Sequence, residues 1–157
     1  MAREIVLRLL GVRDRTRREL EQALAKRRVP DEAAREVLDR FTEAGLIDDR
    51  RFAEAVFDGQ QRRQRSTRAL RQELRTKGVD AELIEQAAAG VDSEADLAVA
   101  RELVAKRARG LERFPHEVRY RRLAGQLARR GFSPGVIASV LRDLTRDDSD
   151  DWAATPD

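Results

Sequence analysis

The stretch G-L-I-D-D-R-R-F-A-E-A-V-F, residues 45–57, contains the end of one predicted helix and the start of the next. Gly45 follows an apolar helical run, where a glycine supplies the left-handed conformation that ends many helices. Asp48 and Asp49 precede a new periodic run, where a short carboxylate accepts the free N–H groups of a first helical turn. Adjacent aspartates could instead bind a metal, but neither His nor Cys lies nearby. The stretch therefore predicts two helices joined by a capped turn.

The residues around this turn are predicted to bury their apolar side chains. Leu46 and Ile47 should return the chain to the core after the first helix ends. In the helix that follows, one apolar stripe at positions i, i+3, i+4 and i+7 consists of Phe52, Ala55, Val56 and Gly59. In the helix before it, the residues predicted to face inward are Ala33, Ala34, Val37, Leu38 and Phe41.

The composition indicates small helical modules. The chain has 157 residues, of which 39% are charged and only 4% aromatic, which leaves little material for a thick core. It has no cysteine, so disulfide and thiolate chemistry are excluded. No apolar run of about 18 residues is present to cross a membrane, and charges within Met1–Leu10 argue against a secretory signal. We therefore expect a cytoplasmic protein.

The apolar pattern repeats along the chain, first after 50 residues and then after a further 53. The clearest corresponding residues are the leucine pairs Leu20 and Leu24, Leu70 and Leu74, and Leu123 and Leu127. The predicted fold is all-α, with three tandem three-helix repeats at 1–47, 48–91 and 92–146. Such small repeats bury part of their apolar surface against their neighbours. We expect a monomer.

Two parts of the chain depart from the repeat pattern. Gly78 and Gly131 precede the last helix of the second and third repeats, whereas Arg28 occupies that place in the first, so its turn is predicted to be looser or differently shaped. Residues 147–157 are predicted to form an acidic disordered tail, because the segment is too polar to bury much surface. Trp152 in this tail is either exposed to solvent or docked on a partner.

The charge is unevenly distributed. The formal net charge is +3, but residues 147–157 carry five aspartates and no Lys or Arg, which leaves residues 1–146 at +8. A basic body with an acidic tail indicates an anionic partner such as nucleic acid, and the tail could compete for the same surface. The alternative is an arginine-rich chain whose charges are merely solvated.

Basic residues concentrate on the middle helices of the repeats. Because Leu70 and Leu74 point inward, Arg68, Arg71 and Arg75 are predicted to form a ridge on the opposite side of their helix. The full set of candidate partner-binding or DNA-binding residues is Arg62, Arg63, Arg65, Arg68, Arg71, Arg75, Lys77, Arg119, Arg121, Arg122, Arg129 and Arg130.

This basic stripe fits either a polyanion or the acidic groove of a protein filament, because arginine forks bind phosphate and carboxylate equally well. Aromatic residues are too few for a platform on which successive bases stack. Any affinity for single- or double-stranded DNA should therefore be directed at the backbone and sensitive to salt.

Catalytic groups are scarce. The only histidine, His116, follows Pro115 at a predicted helix start, a place typical of a solvated residue. No glycine-rich phosphate loop is present, and the acidic residues alternate with arginines at the spacing of surface ion pairs. We predict that the protein is not an enzyme and that it has neither a cofactor nor a metal site.

Three segments resemble the RecX family of bacterial regulators of the RecA recombinase: G-L-I-D-D-R-R-F-A at 45–53, E-L-R-T-K-G-V at 73–79 and L-A-R-R-G-F-S at 127–133. The resemblance covers residues 2–144. It implies tandem three-helix repeats in an elongated, curved molecule that lies in the groove of the RecA–DNA filament. It also implies a non-enzymatic inhibitor of ATPase, strand exchange and co-protease activity, acting in DNA repair, homologous recombination and the SOS response.

The alternative function is that of a general DNA-binding protein acting alone through its basic stripe. Two departures from the family pattern are visible. Ser66 and Thr67 stand where the family commonly has a Gly-Pro pair, although they can still cap a helix. The acidic extension at the end of the chain has no counterpart in the family pattern.

Overall fold

The computed structural model describes the backbone of residues 1–153 and the side chains of residues 1–143, 145 and 146. This part of the chain is helical and contains no strand, so the all-α prediction is confirmed. The helices are α1 Ala2–Val12, α2 Arg17–Lys26, α3 Asp31–Glu43, α4 Asp49–Asp58, α5 Gln60–Arg63, α6 Thr67–Thr76, α7 Ala81–Ala88, α8 Ser93–Ala108, α9 His116–Arg129 and α10 Pro134–Ala153, with a 3-10 turn at Arg109–Leu111.

The chain divides into two compact units. The first comprises residues 1–58 and 71–89, and therefore contains α1 to α4, the last six residues of α6, and α7. The second comprises residues 59–70 and the chain from residue 90 onward, and contains α5, the first four residues of α6, and α8 to α10. The helices of the second repeat are thus shared between the units, and each unit completes its core with a neighbouring repeat.

The core of the first unit is built from the inward faces of six helices. One cluster joins α1, α2 and α3 through Val6, Leu20, Leu24, Leu38, Phe41 and Ile47. The remaining buried apolar residues of this unit are Ala53, Val56, Phe57, Leu74, Val79, Ile84 and Ala88. Full burial of a leucine or valine side chain contributes about 1.5–3 kcal/mol, so these residues are the main source of stability.

The second unit has a core of its own. Ten buried apolar residues from α8 to α10 and the turns between them form it: Val99, Ala100, Leu103, Val104, Leu111, Leu123, Leu127, Phe132, Val140 and Leu141. Phe114 is half-buried and packs against this cluster. The cluster orients α9, which carries four of the predicted binding residues, Arg119, Arg121, Arg122 and Arg129.

Three residues that the sequence predicts to face inward are exposed. Leu46 is 49% exposed, whereas its neighbour Ile47 is buried. Ala33 and Ala55 are also exposed. In α4 the predicted stripe is confirmed at Val56 and Gly59, which are buried, but the buried face also includes Ala53 and Phe57, which the stripe omits. Alanine can occupy either face of a helix at little cost, so its position in the pattern is a weak indicator of burial.

The turn at Arg28 has the same geometry as the turns at Gly78 and Gly131, so the prediction of a looser turn is wrong. All three residues have positive φ, at 58°, 80° and 89° respectively. In each turn the following amide donates to a carbonyl five residues earlier: Val29 N to Leu24 O at 3.1 Å, Val79 N to Leu74 O at 3.0 Å, and Phe132 N to Leu127 O at 3.1 Å.

Glycine is required at the two later turns because another repeat lies against them. A Cβ atom on Gly131 would lie 2.6 Å from Ser66 Oγ and 2.7 Å from Ala69 Cβ. A Cβ atom on Gly78 would lie 2.4 Å from Cδ of Arg18. In the first repeat Arg28 adopts the left-handed conformation with a side chain, at a cost of about 1–2 kcal/mol.

We call the contact at Gly78 the first joint. Thr16 there is fully buried; its Oγ1 donates to Lys77 O at 2.6 Å and accepts from Glu19 N at 3.2 Å. The Glu19 carboxylate accepts in return from Thr16 N at 3.0 Å, which completes a capping box for α2. Burial opposes ionisation of Glu19, yet hydrogen bonds from Arg13 and the Thr16 amide hold its pKa below the usual value.

The contact at Gly131 repeats this arrangement, and we call it the second joint. Ser66 N donates to Arg130 O at 3.0 Å, while Ser66 Oγ accepts from Ala69 N at 3.0 Å and caps α6. Ser66 and Thr67 therefore function as a cap where the family pattern has Gly-Pro. Asp96 Oδ1 accepts from both Thr67 N at 2.9 Å and Thr67 Oγ1 at 2.7 Å.

Asp48 and Asp49 have different roles. Asp48 caps α4 as predicted, because its Oδ1 accepts from Arg51 N at 3.0 Å. The prediction that Asp49 also caps α4 is wrong: its Oδ1 accepts from Arg17 N at 3.0 Å, in the first turn of α2. Asp49 thus does in the first joint what Asp96 does in the second, and both hold the first turn of the preceding repeat's middle helix.

The predicted acidic tail lies mostly outside the described residues. The backbone of α10 continues to Ala153, so residues 147–153 are helical where the sequence predicts the disordered tail to begin. Their side chains, including Trp152, and residues 154–157 lie outside the described part. No helix in the part that the structure describes has the length and apolar character needed to span a membrane.

The glycine at the second joint should be far less replaceable than a glycine in an open turn. Gly45 also has positive φ, at 77°, but no atom lies within 4 Å of the place where its Cβ would be. Gly45→Ala should therefore cost about 1 kcal/mol for the left-handed conformation alone. Gly131→Ala should cost about 1–3 kcal/mol more, because the added methyl overpacks the joint. Urea unfolding of the two variants measures the difference, and equal losses would show that the joint tolerates a side chain.

Asp49 should make stability depend on pH. Burial raises the pKa of its carboxyl, the Arg17 amide lowers it in part, and Asp80 raises it further. A raised pKa means that protonation favours the folded state. The resulting stabilisation is present below the ordinary aspartate pKa, near 3.9, and is lost as the pH rises through the folded pKa.

The matched variants are Asp49→Asn, which keeps the acceptor for Arg17 N without the charge, and Asp49→Ala, which removes both. We expect Asp49→Asn to be at least as stable as the parent at pH 7 and to show a flatter dependence of stability on pH in the acidic range. Asp49→Ala should lose about 1 kcal/mol through the missing acceptor. Urea unfolding over a range of pH measures the stability of both variants. The prediction is contradicted if Asp49→Asn and Asp49→Ala have the same stability at every pH.

Candidate nucleic-acid and partner interface

The excess positive charge resides in the second unit. The residues of the first unit include 16 Lys or Arg and 17 Asp or Glu, so they are close to neutral. Residues 59–70 and 90–146 of the second unit include 16 Lys or Arg but only 7 Asp or Glu. A polyanion would therefore be attracted mainly to the second unit.

The candidate residues of the first unit are partly used within the fold. Arg71 is half-buried; its Nε lies 3.2 Å from Glu85 Oε1 and its Nη2 donates to Glu85 Oε2 at 3.4 Å. Lys77 is half-buried, pairs with Glu73 at 3.0 Å and lies 5.3 Å from the ring centroid of Phe52. Arg75 is exposed and makes only a long contact, 3.5 Å, to the side chain of Gln72.

The predicted ridge is therefore not uniform. Arg68 belongs to the second unit and is exposed, whereas Arg71 and Arg75 belong to the first. Of the three, Arg71 is the one whose guanidinium is held by a carboxylate. The helical spacing correctly places all three away from Leu70 and Leu74. It cannot predict that Glu85 of α7 pairs with Arg71.

Some candidates in the second unit also have structural contacts. Arg130 Nη1 donates to the carbonyls of Arg63 at 3.3 Å and Gln64 at 3.4 Å, at the end of α5. The Arg130 carbonyl accepts from Ser66 in the second joint. Arg65 and Arg119 are half-buried. Arg130 thus helps to build the joint, and its side chain is less available to a partner than the charge pattern indicates.

The remaining candidates of the second unit expose their side chains to solvent: Arg62, Arg63, Arg68, Arg121, Arg122 and Arg129. Arg122 and Arg129 are seven residues apart and lie on one side of α9, whereas Arg121 is rotated by about 100° from Arg122. The Arg122 guanidinium lies over the Phe114 ring, 4.1 Å from its centroid, with Arg113 at 4.8 Å from the same ring.

Sequence reasoning missed several basic residues in the connection between α8 and α9. Arg107, in the last turn of α8, is exposed, and so are Arg109 and Arg113 in the connection itself. This connection is longer than those in the other repeats and does not align with them. The comparison of repeats that identified the other arginines therefore did not include it. The local composition could have identified this basic segment, because residues 106–113 include four cations and one acid.

The geometry contains no recognisable catalytic arrangement among the described residues. His116 is exposed and lies beside Tyr120, with ring centroids 6.4 Å apart. A cleft of about 450 Å³ lies between α2 and α3, but Arg17 at its edge is paired with Asp39 at 2.6 Å and Glu21 at 3.3 Å. In the described part no three His, Asp or Glu side chains are placed to hold a metal ion.

Comparison with known proteins identifies the repeats. Models of three RecX domains match in tandem: the first three-helix domain over residues 2–41, the second over 48–87 and the third over 94–141. The chain is 47% identical over 151 residues to regulatory protein RecX of Streptomyces coelicolor, covering 96% of this chain and 80% of that protein. It is 46% identical over 143 residues to that of Thermobifida fusca, covering 90% and 77%.

Two solved structures share the fold. The crystal structure of RecX from Lactobacillus salivarius superimposes with a TM-score of 0.73 at 20% identity and covers 92% of this chain and 94% of its own. A second crystal structure, of a regulatory protein RecX, gives a TM-score of 0.76 at 24% identity, with coverage of 90% and 71%. The prediction of tandem three-helix domains is confirmed.

The two arginines of the first unit should differ in their effect on stability. Arg71→Gln removes the pair with Glu85 and should lower the free energy of unfolding by up to about 1 kcal/mol. Arg75→Gln removes an exposed cation and should change it by less than about 0.5 kcal/mol. Gln forms helices about as well as Arg, so propensity does not confound the comparison. Urea unfolding at low and high salt tests this, and a loss at Arg71 that salt leaves unchanged would contradict an ion-pair origin.

Proposed function

This chain belongs to the RecX family of regulatory proteins, and on that premise we propose that it inhibits the RecA recombinase. In this proposal it binds in the groove of the RecA–DNA filament and lowers ATPase, strand-exchange and co-protease activity without catalysing a reaction. The observation that carries the proposal is the tandem match of all three RecX domains, together with 47% identity to a regulatory protein RecX over most of the chain.

The surface of the second unit is consistent with such a role. Its exposed arginines can pair with acidic side chains or with phosphates, and both are present in a filament of protein on DNA. The first unit, with nearly balanced charge, would then contribute contacts of another kind. Regulation by binding needs no catalytic group.

The second candidate function is DNA binding without RecA. The observation that favours it is the excess of 16 Lys or Arg over 7 Asp or Glu in residues 59–70 and 90–146. A protein of this kind would reduce RecA activity only by covering the DNA. The two candidates therefore differ in the amount of protein that they require.

The test is a titration of the ATPase activity of RecA on single-stranded DNA. A filament regulator should reduce the rate at well below one molecule per RecA subunit, because one bound molecule affects many subunits. The variant Arg62→Gln, Arg68→Gln, Arg121→Gln should require several-fold more protein for the same inhibition. The matched control, Arg3→Gln, Arg8→Gln, Arg50→Gln, removes three exposed cations of the first unit and should inhibit like the parent.

Two outcomes would count against the proposal. Inhibition that appears only when the protein covers the DNA would favour the second candidate. An unchanged ATPase rate at one molecule per RecA subunit, with the protein shown to be folded by circular dichroism, would reject inhibition of RecA altogether.

A further inference from the structure

Gly125 lies in the middle of α9, where a glycine is unfavourable. The helix runs from His116 to Arg129, and glycine in a helix interior is less favourable than alanine because it loses more backbone entropy. Gly125 has no positive φ and takes part in no turn. Its backbone conformation would accept any residue, so the reason for a glycine must lie in its surroundings.

The neighbour of Gly125 is a guanidinium group. A Cβ atom on Gly125 would lie 3.3 Å from Nη1 of Arg129, and apart from its chain neighbours and the adjacent helix backbone no other described atom lies within 4 Å. Arginine side chains on a helix lean toward its N-terminus, so Arg129 lies back over the turn that contains Gly125. Arg122, three residues before Gly125, is on the same side of α9. The missing side chain thus lets the Arg129 guanidinium lie close to the helix backbone, on the same side of α9 as Arg122.

Phe114 extends this surface beyond the start of α9. Its ring is half-buried against the core of the second unit and supports Arg122 at 4.1 Å and Arg113 at 4.8 Å. A guanidinium that rests on an aromatic ring uses its face and keeps its N–H edges available. Its side chain is also partly ordered before any ligand arrives, which reduces the entropy lost on binding.

Among the described side chains, no carboxylate pairs with these groups. Arg122 and Arg129 are exposed, as is Arg113, and none of the three has an ion pair within the described part of the chain. Residues 103–130 include nine Lys or Arg but only two acids, Glu112 and Glu117. Three uncompensated arginines in a basic environment are costly to keep together unless an anion binds them.

We infer that Arg113, Arg122 and Arg129, which we call the guanidinium row, form a binding site for the phosphate backbone of single-stranded nucleic acid. Gly125 and Phe114 position this site. The inference deepens the proposed function by giving the regulator a direct contact with DNA. It rests on the proposed function only in assuming that this contact occurs in the RecA–DNA filament.

Phosphate fits the row better than an acidic protein surface does. Protein interfaces have apolar, charge-depleted centres, whereas protein–DNA interfaces are polar and strongly basic. Among the described residues of the second unit, Tyr120 at 40% is the one large hydrophobic side chain that is markedly exposed. The row therefore has the charge that a nucleic-acid backbone requires but lacks the apolar centre that a protein partner would use.

The experiment measures fluorescence anisotropy of a labelled oligothymidylate with the full chain. Gly125→Gln places a long side chain where the Arg129 guanidinium lies, and we expect it to weaken binding several-fold while stability stays equal or rises, since Gln is the better helix former. Arg122→Gln with Arg129→Gln should weaken binding about tenfold or more. The double variant should also reduce the slope of log affinity against log salt by about 1.4, that is, by about 0.7 per lost phosphate contact.

The controls separate positioning from folding. Arg3→Gln with Arg8→Gln removes two exposed cations from α1 and should leave affinity and salt slope close to those of the parent. Phe114→Leu keeps an apolar side chain on the core but removes the ring, so it should weaken oligothymidylate binding. If Gly125→Gln unfolds the protein, Gly125→Ala and the arginine pair still test the row.

Three results are decisive. Reduced DNA affinity in the Gly125 and arginine variants, with the α1 control unchanged, supports the inference. Parental affinity and salt slope in the arginine pair would overturn it. Parental affinity for the oligonucleotide combined with weaker inhibition of RecA ATPase would assign the row to a protein contact, which overturns the phosphate assignment but leaves the proposed function standing.

Discussion

The structure depends on a recurring contact between the start of one middle helix and the end of the next. A buried hydroxyl residue caps the helix, an aspartate from the following repeat accepts a hydrogen bond from its first turn, and a left-handed glycine turn lies against it. The residues are Thr16, Asp49 and Gly78 in the first joint and Ser66, Asp96 and Gly131 in the second. Small repeats cannot bury enough surface alone, so these joints make the fold possible.

The joints explain why each compact unit crosses a repeat boundary. The helix ends that meet there have unsatisfied N–H and C=O groups, which must find partners when water is excluded. In the first unit, Lys77 O and the Arg17 amide are satisfied by residues from the neighbouring repeat. Separating the repeats would therefore expose apolar surface and leave polar groups unpaired. Cooperative unfolding of neighbouring repeats thus follows from hydrogen bonding as well as from packing.

The sequence predicts the repeats well because helical periodicity and capping are local properties. It also locates the glycine turns and the cap at Asp48. It does not predict the partner of Asp49, because that partner is more than 30 residues away along the chain, and it misplaces Leu46, Ala33 and Ala55. The sequence does not predict the role of Asp96 either, because its partner Thr67 lies 29 residues away along the chain.

The same limit applies to the binding surface. Lys77 and Arg130 occupy equivalent positions, and in both the carbonyl accepts a hydrogen bond from the preceding repeat while the side chain contacts its own unit. A charge pattern alone predicts that such residues can bind a partner, although their contacts within the fold already hold them. At Gly125 the sequence leads to the opposite error, because a binding role is missed. A residue without a side chain does not appear in a charge pattern. A cation in this fold is available to a partner when neither a joint nor a carboxylate holds it, and among the described residues of α9 that criterion selects Arg121, Arg122 and Arg129.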